Sequence, residues 1–93
     1  MSIALLSIEL RIAGSHSLKD KRRVLQSLFS KIKRNYNIAV AELENQDLWQ
    51  RADLGIVSIN TSGSELNKTL NNIVDYVNNF MNTEIINYRI ENI

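Results

Sequence analysis

Apolar residues alternate with others through residues 3–12: Ala4, Leu6, Ile8, Leu10 and Ile12 share one side, and Ile3, Leu5, Ser7, Glu9 and Arg11 share the other. A period of two is that of a strand, and the wholly apolar set predicts its core face. The chain then turns at Ala13-Gly14-Ser15-His16, and Ser17-Leu18-Lys19-Asp20 has the form of a capping box in which Asp stands for the usual Glu. From there the period changes. At about 100° per residue, Leu18, Leu25, Leu28, Phe29, Ile32 and Tyr36 form one stripe with Val24 at its border, which predicts an amphipathic helix ending near Tyr36. Lys19, Arg23, Ser30 and Arg34 occupy its far side.

Asn37 to Glu44 reads as a second strand and Asp53 to Asn60 as a third, joined by Asn45 to Arg51. Both alternations are mixed, so the pattern leaves open which side of either strand is buried. Ser62 to Asn82 is a second helix, with Leu66, Leu70, Ile73, Val74, Val77, Phe80 and Met81 on one arc. Glu84 to Glu91 alternates again, with Ile86, Tyr88 and Ile90 on one side. The order is β-α-β-β-α-β. Right-handed crossovers then place both helices on one face of a four-stranded antiparallel sheet, an α+β fold of the ferredoxin-like kind. The other face is left uncovered, and Ile3 and Leu5 on it make a half-apolar surface suited to a homodimer or to a partner protein.

With 93 residues, no proline and no linker or repeat, residues 1–93 are expected to be a single domain. The absence of Cys excludes disulfides, thiolate zinc sites and thiol nucleophiles, and fits a reducing compartment. The first residues lack a basic n-region, and Glu9 and Arg11 interrupt the apolar run, so neither a signal peptide nor a membrane span is expected. A cytoplasmic protein follows from that reading. His16 is the only His, which excludes a His-rich metal site, and its neighbours Ser15 and Ser17 are badly placed to form a triad with it. The expectation is a protein without cofactor, metal or catalytic set.

Charge changes the picture more than composition does. Residues 1–51 carry a net +4 and residues 52–93 a net −3. Between Lys19 and Arg34, seven bases (Lys19, Lys21, Arg22, Arg23, Lys31, Lys33 and Arg34) face one acid, Asp20. Gly14, Ser15 and Ser17 surround the helix start, whose free N–H groups suit a phosphate, with Lys19, Lys21 and Arg22 close by; the alternative is that Ser17 merely caps the helix. Lys21 and Arg22 lie four and three residues before Leu25, on the apolar side, so they are expected to meet carboxylates. Glu42, Glu44, Asp47 and Asp53 are the available acids, which predicts contact between the helix start and the Gln46 to Arg51 segment. Trp49, the sole Trp, either stacks on a base or anchors a partner, or it plugs the rim of the core.

Two established RNA-binding layouts are excluded. Residues 3–12 and 53–60 contain no aromatic, so bases cannot stack on the central strands as they do in RNA-recognition domains, and no Gly-x-x-Gly loop is present. The turn after the first strand also lacks the Arg-bearing glycine-rich loop of small ferredoxin-like acylphosphatases. What remains is phosphate contact through the basic helix by Ser17, Lys19, Lys21, Arg22, Arg23, Lys31 and Arg34, with the solvated helix face as the plain alternative.

Two segments together resemble a known family: Arg11-Ile12-Ala13-Gly14-Ser15-His16-Ser17-Leu18-Lys19-Asp20-Lys21-Arg22-Arg23, and Ala41-Glu42 followed by Gln46-Asp47-Leu48-Trp49-Gln50-Arg51-Ala52-Asp53-Leu54-Gly55. The chain is similar to the YlxP-like family of short bacterial proteins over nearly its whole length. The resemblance implies a ferredoxin-like domain, a bacterial cytoplasmic setting, and genes often neighbouring those of translation initiation factor two and ribosome-binding factor A. Such a neighbourhood implies a role in ribosome assembly or translation, and together with the charge placement it points to ribosomal RNA or a ribosomal subunit as partner. It carries over no catalytic residue, and Gln46, Asp47, Trp49, Gln50 and Arg51 are motif positions only. Ala13 departs from the family, which usually has proline before the glycine. The resulting expectation is a small non-enzymatic protein that docks on ribosomal RNA by its basic helix; a homodimeric interaction module comes second and a phosphate-handling enzyme third.

Overall fold

The computed structural model describes residues 1–93. Strand β1 (Ser2–Ile12), helix α1 (Leu18–Asn35), strands β2 (Ile38–Glu44) and β3 (Arg51–Asn60), helix α2 (Gly63–Asn78) and strand β4 (Thr83–Asn92) follow in that order. The strands pair antiparallel in the spatial order β2-β3-β1-β4, which is the expected α+β ferredoxin-like arrangement. β1 lies inside the sheet, and its predicted core face is fully buried: Ala4, Leu6, Ile8, Leu10 and Ile12. Leu25, Leu28 and Ile32 of α1 and Leu66, Leu70, Ile73, Val74 and Val77 of α2 close over that face. No helix is long and apolar enough to cross a membrane.

The register settles the two strands whose pattern was mixed. Ala52, Leu54 and Ile56 of β3 pair with Leu10, Ile8 and Leu6 and face the helices, as do Ile38, Val40 and Glu42 of β2. Ser58 joins this side, where its hydroxyl donates to the Asn37 carbonyl at 2.8 Å. Because Val57 and Ile59 then point to the open face, β3 is apolar on both sides and its alternation disappears.

Two expectations change at the C-terminal end. In β4 the register slips between Glu9 and Leu10, so Leu10 faces Ile85 and Ile8 faces Tyr88; Ile86 is the extra residue. A bulge of this kind inverts the alternation beyond it, which is why Ile85 and not Ile86 packs on the core with Ile90. Helix α2 ends at Asn78, not Asn82. Thr83 Oγ1 donates to the carbonyls of Val77 and Phe80 at 2.6 and 2.9 Å, and Asn82 takes a left-handed φ of 55°, so the chain leaves the helix early. Met81, placed on the apolar arc by spacing, is 62% exposed.

On the open face Ile3 pairs with Ile59 and Leu5 with Val57, while Ala39 and Ala41 of β2 continue the patch. Gly55 leaves room for the Leu43 side chain, whose Cδ1 would lie 2.8 Å from an added Cβ. Ile3 and Leu5 are half-buried there, as the alternation of β1 requires.

Candidate functional site

The turn into α1 is built from small residues that are fully occupied with one another. Gly14 takes a φ of +77°, which glycine adopts without steric cost, and Ala13 N–H donates to the Asn82 carbonyl at 2.8 Å. Proline at position 13 lacks that donor. Ser15 is buried and its hydroxyl donates to the Ser17 carbonyl at 3.2 Å. Ser17 caps the helix by accepting from Asp20 N–H at 3.0 Å, and Asp20 Oδ2 accepts from His16 N–H at 3.1 Å. Both hydroxyls thus serve the helix cap.

Lys21 is the organising residue of this end. It is 1% exposed, and its ammonium donates to Glu42 Oε2 at 2.8 Å and to the carbonyls of Asn45, Gln46 and Arg51 at 2.9, 3.2 and 3.1 Å. Glu42 stands on the helix side of β2, and the three carbonyls belong to the 45–51 connection and the first residue of β3. Lys21 therefore draws the connection onto the helix start, and the predicted junction of the two segments exists. Gln50 Nε2 adds a bond to the Ser15 carbonyl at 3.1 Å, and Asn45, at a left-handed φ of 60°, donates to Asp53 Oδ2 at 3.0 Å.

That same burial removes Lys21 from the set of bases expected to meet an external anion: all of its donors point inward. Arg22 differs from expectation in the opposite sense. It is exposed and in no ion pair, because three residues before Leu25 is the flank of the stripe and not its centre. Lys31 leans toward the residues that follow α2, with its ammonium 5.2 Å from the centre of the Phe80 ring. Arg51 begins β3, and one guanidinium nitrogen lies 3.6 Å from Glu9 on the open sheet face. Trp49 does not plug the core; it is 54% exposed beside Leu48, exposed to 44%. The connection is held by Lys21, Gln50 and its own backbone, which leaves the indole outside.

Lys19, Arg22, Arg23, Lys33 and Arg34 are all exposed and none takes part in an ion pair. Lys33 belongs with them although it stood outside the predicted set: it follows Arg22 by eleven residues, close to three helical turns, so both lie on one flank. Lys33 and Arg34 occupy the last turn, where a cation is favoured by the helix dipole. Lys19 occupies the first turn, where the dipole opposes it, and Arg22 and Arg23 gain nothing from it one turn later. No three His, Asp or Glu side chains converge anywhere in the structure.

A family model described as "Protein of unknown function (DUF503)" matches residues 3–90. The chain belongs to the DUF503 family. "Uncharacterized protein YlxP" of Bacillus subtilis (strain 168) is similar, at 30% identity over 73 residues that cover 78% of this chain and 79% of that protein. The YlxP-like resemblance drawn from the two motifs is thereby borne out. The DUF503 match takes in the 13–17 turn, all of α1 and the 45–51 connection, so the whole Lys21 junction lies within it.

Proposed function

We propose that this protein binds structured RNA of the ribosome through the exposed cations of α1, in a non-enzymatic role. The observation that carries the reading is the first of its two helix ends. Lys19, Arg22 and Arg23 have no carboxylate partner and no help from the helix dipole, so the fold itself gives no reason for three cations there. Phosphate gives one, since each neutralised phosphate releases condensed counterions. Lys33 and Arg34 extend the same surface along the helix. Binding of this kind positions the protein by charge and shape and makes little distinction between sequences. The test is co-sedimentation of the purified protein with ribosomal subunits at low and at high salt. The protein is expected to travel with the subunits at low salt and to be released as salt rises; retention that ignores ionic strength contradicts the reading.

The open sheet face supports a second reading, a homodimer through Ile3, Leu5, Val57 and Ile59. Val57 and Ile59 are 39% and 46% exposed, and an apolar row at the centre of an uncovered sheet is the kind of patch proteins bury between subunits. Leu5→Asp is expected to reduce the mass seen by light scattering to that of one chain while leaving the circular dichroism spectrum unchanged. An unaltered mass rejects this use of the face.

A further inference from the structure

Trp49 lies at the same end of the molecule as the free cations of the first α1 turns, and what holds it there is visible. The Lys21 ammonium grips the carbonyls of Asn45, Gln46 and Arg51 on either side of it, and Gln50, its neighbour, bonds to the Ser15 carbonyl in the turn before α1. Gln50 also accepts from Ile12 N–H through its own carbonyl at 3.0 Å. Both flanks of the indole are therefore fixed to the α1 start while the ring itself stays 54% exposed, over an open depression of about 430 Å³ lined by residues from Asp47 to Arg51. A large ring held on a tethered segment loses little freedom when something stacks on it. Arg22, next to the clamp residue, and Lys19, two residues before it, are both exposed and supply positive charge at that end.

We propose that Trp49 is a stacking platform for an unpaired base of single-stranded RNA, whose flanking phosphates lie on Lys19 and Arg22. This rests on the RNA-binding reading of α1 and narrows its ligand. A duplex hides its base faces, whereas a loop or strand end can turn one out onto an indole, and every base has such a face. The central strands offer no competing platform: the open face of β1 and β3 shows Ile3, Leu5, Ser7, Val57 and Ile59 but no ring. The acids around the junction are already engaged, Glu42 with Lys21, Asp20 with His16 N–H and Asp53 with Asn45. Asp47 and Glu44 are exposed and without a partner, and of the two Asp47 lines the depression beside Trp49, so Asp47→Asn tightens binding.

Because Trp49 is the only Trp, its fluorescence reports on this ring alone. The experiment titrates the protein at low salt with a short single-stranded oligoadenylate and, separately, with an RNA duplex of equal length. The single strand is expected to quench the fluorescence and the duplex to leave it unchanged. By anisotropy of labelled RNA, Trp49→Ala weakens the single strand about tenfold with the salt slope unchanged, and Trp49→Phe restores most of the loss. Equal binding of both RNAs without quenching, and unaffected by Trp49→Ala, overturns the platform but leaves the basic helix standing. No binding to either RNA at low salt overturns both. A rise in mass with protein concentration that Trp49→Ala abolishes, with no quenching by RNA, makes the ring a protein contact and also overturns the proposal.

Discussion

Lys21→Met is expected to cost about 3–5 kcal/mol of folding stability, a large share of the roughly 5–15 kcal/mol that holds an ordinary domain together. The methionine fits the aliphatic path of the lysine stem but brings no donor. Glu42, only 19% exposed along its side chain, loses its counter-charge, and the carbonyls of Asn45, Gln46 and Arg51 lose the hydrogen bonds that offset their desolvation. Pairing the change with Glu42→Leu recovers only the carboxylate's part of the loss, because the three carbonyls stay unpartnered. Lys21→Arg is also destabilising, since a planar fork cannot replace a compact ammonium surrounded by acceptors on several sides. Urea denaturation at constant m-value measures all three variants. A midpoint shift equivalent to less than about 1 kcal/mol for Lys21→Met contradicts the role assigned to the clamp.

The second large effect concerns binding and leaves the fold alone. Replacing Lys19, Arg23 and Arg34 together by Glu moves the formal net charge from +1 to −5. All three side chains are exposed and free of ion pairs, so Lys19→Glu and Arg23→Glu each alter stability by no more than about 0.5 kcal/mol, while Arg34→Glu, which reverses a charge that the helix end favours, costs about 1 kcal/mol. RNA affinity at low salt is expected to fall by at least on the order of a hundredfold, because attraction to several phosphates becomes repulsion. Filter binding checks the affinity and thermal unfolding checks the fold. Undiminished RNA binding by a folded triple variant removes α1 from the interface.

Much of this architecture is legible in the chain itself, and the exceptions share a cause. β1, α1 and most of α2 bury one side only, so their apolar periods are clean and name the core residues directly. The Lys21 junction is legible too, because a base on an apolar stripe must find acceptors, and Glu42 lies where the topology can bring one. β3 is opaque because its open face is apolar as well. The bulge at Ile86 carries no glycine or proline to mark it, and it is visible only in the pairing with β1. Arg22 misleads because spacing from Leu25 gives an angle on the helix without saying how wide the covering layer is. The exposure of Trp49 depends on bonds made by Lys21 and Gln50, which join segments far apart in sequence and leave no trace in the local pattern of residues 46–51.

The central claim is that the unpaired cations of α1 contact phosphates directly. Its most direct test is the slope of log affinity against log salt for a ribosomal RNA fragment, measured for the wild type and for Lys19→Gln, Arg22→Gln, Arg23→Gln and Arg34→Gln one at a time. Each neutralisation is expected to lower the magnitude of the slope by about 1. A slope that is the same for all five proteins contradicts the claim.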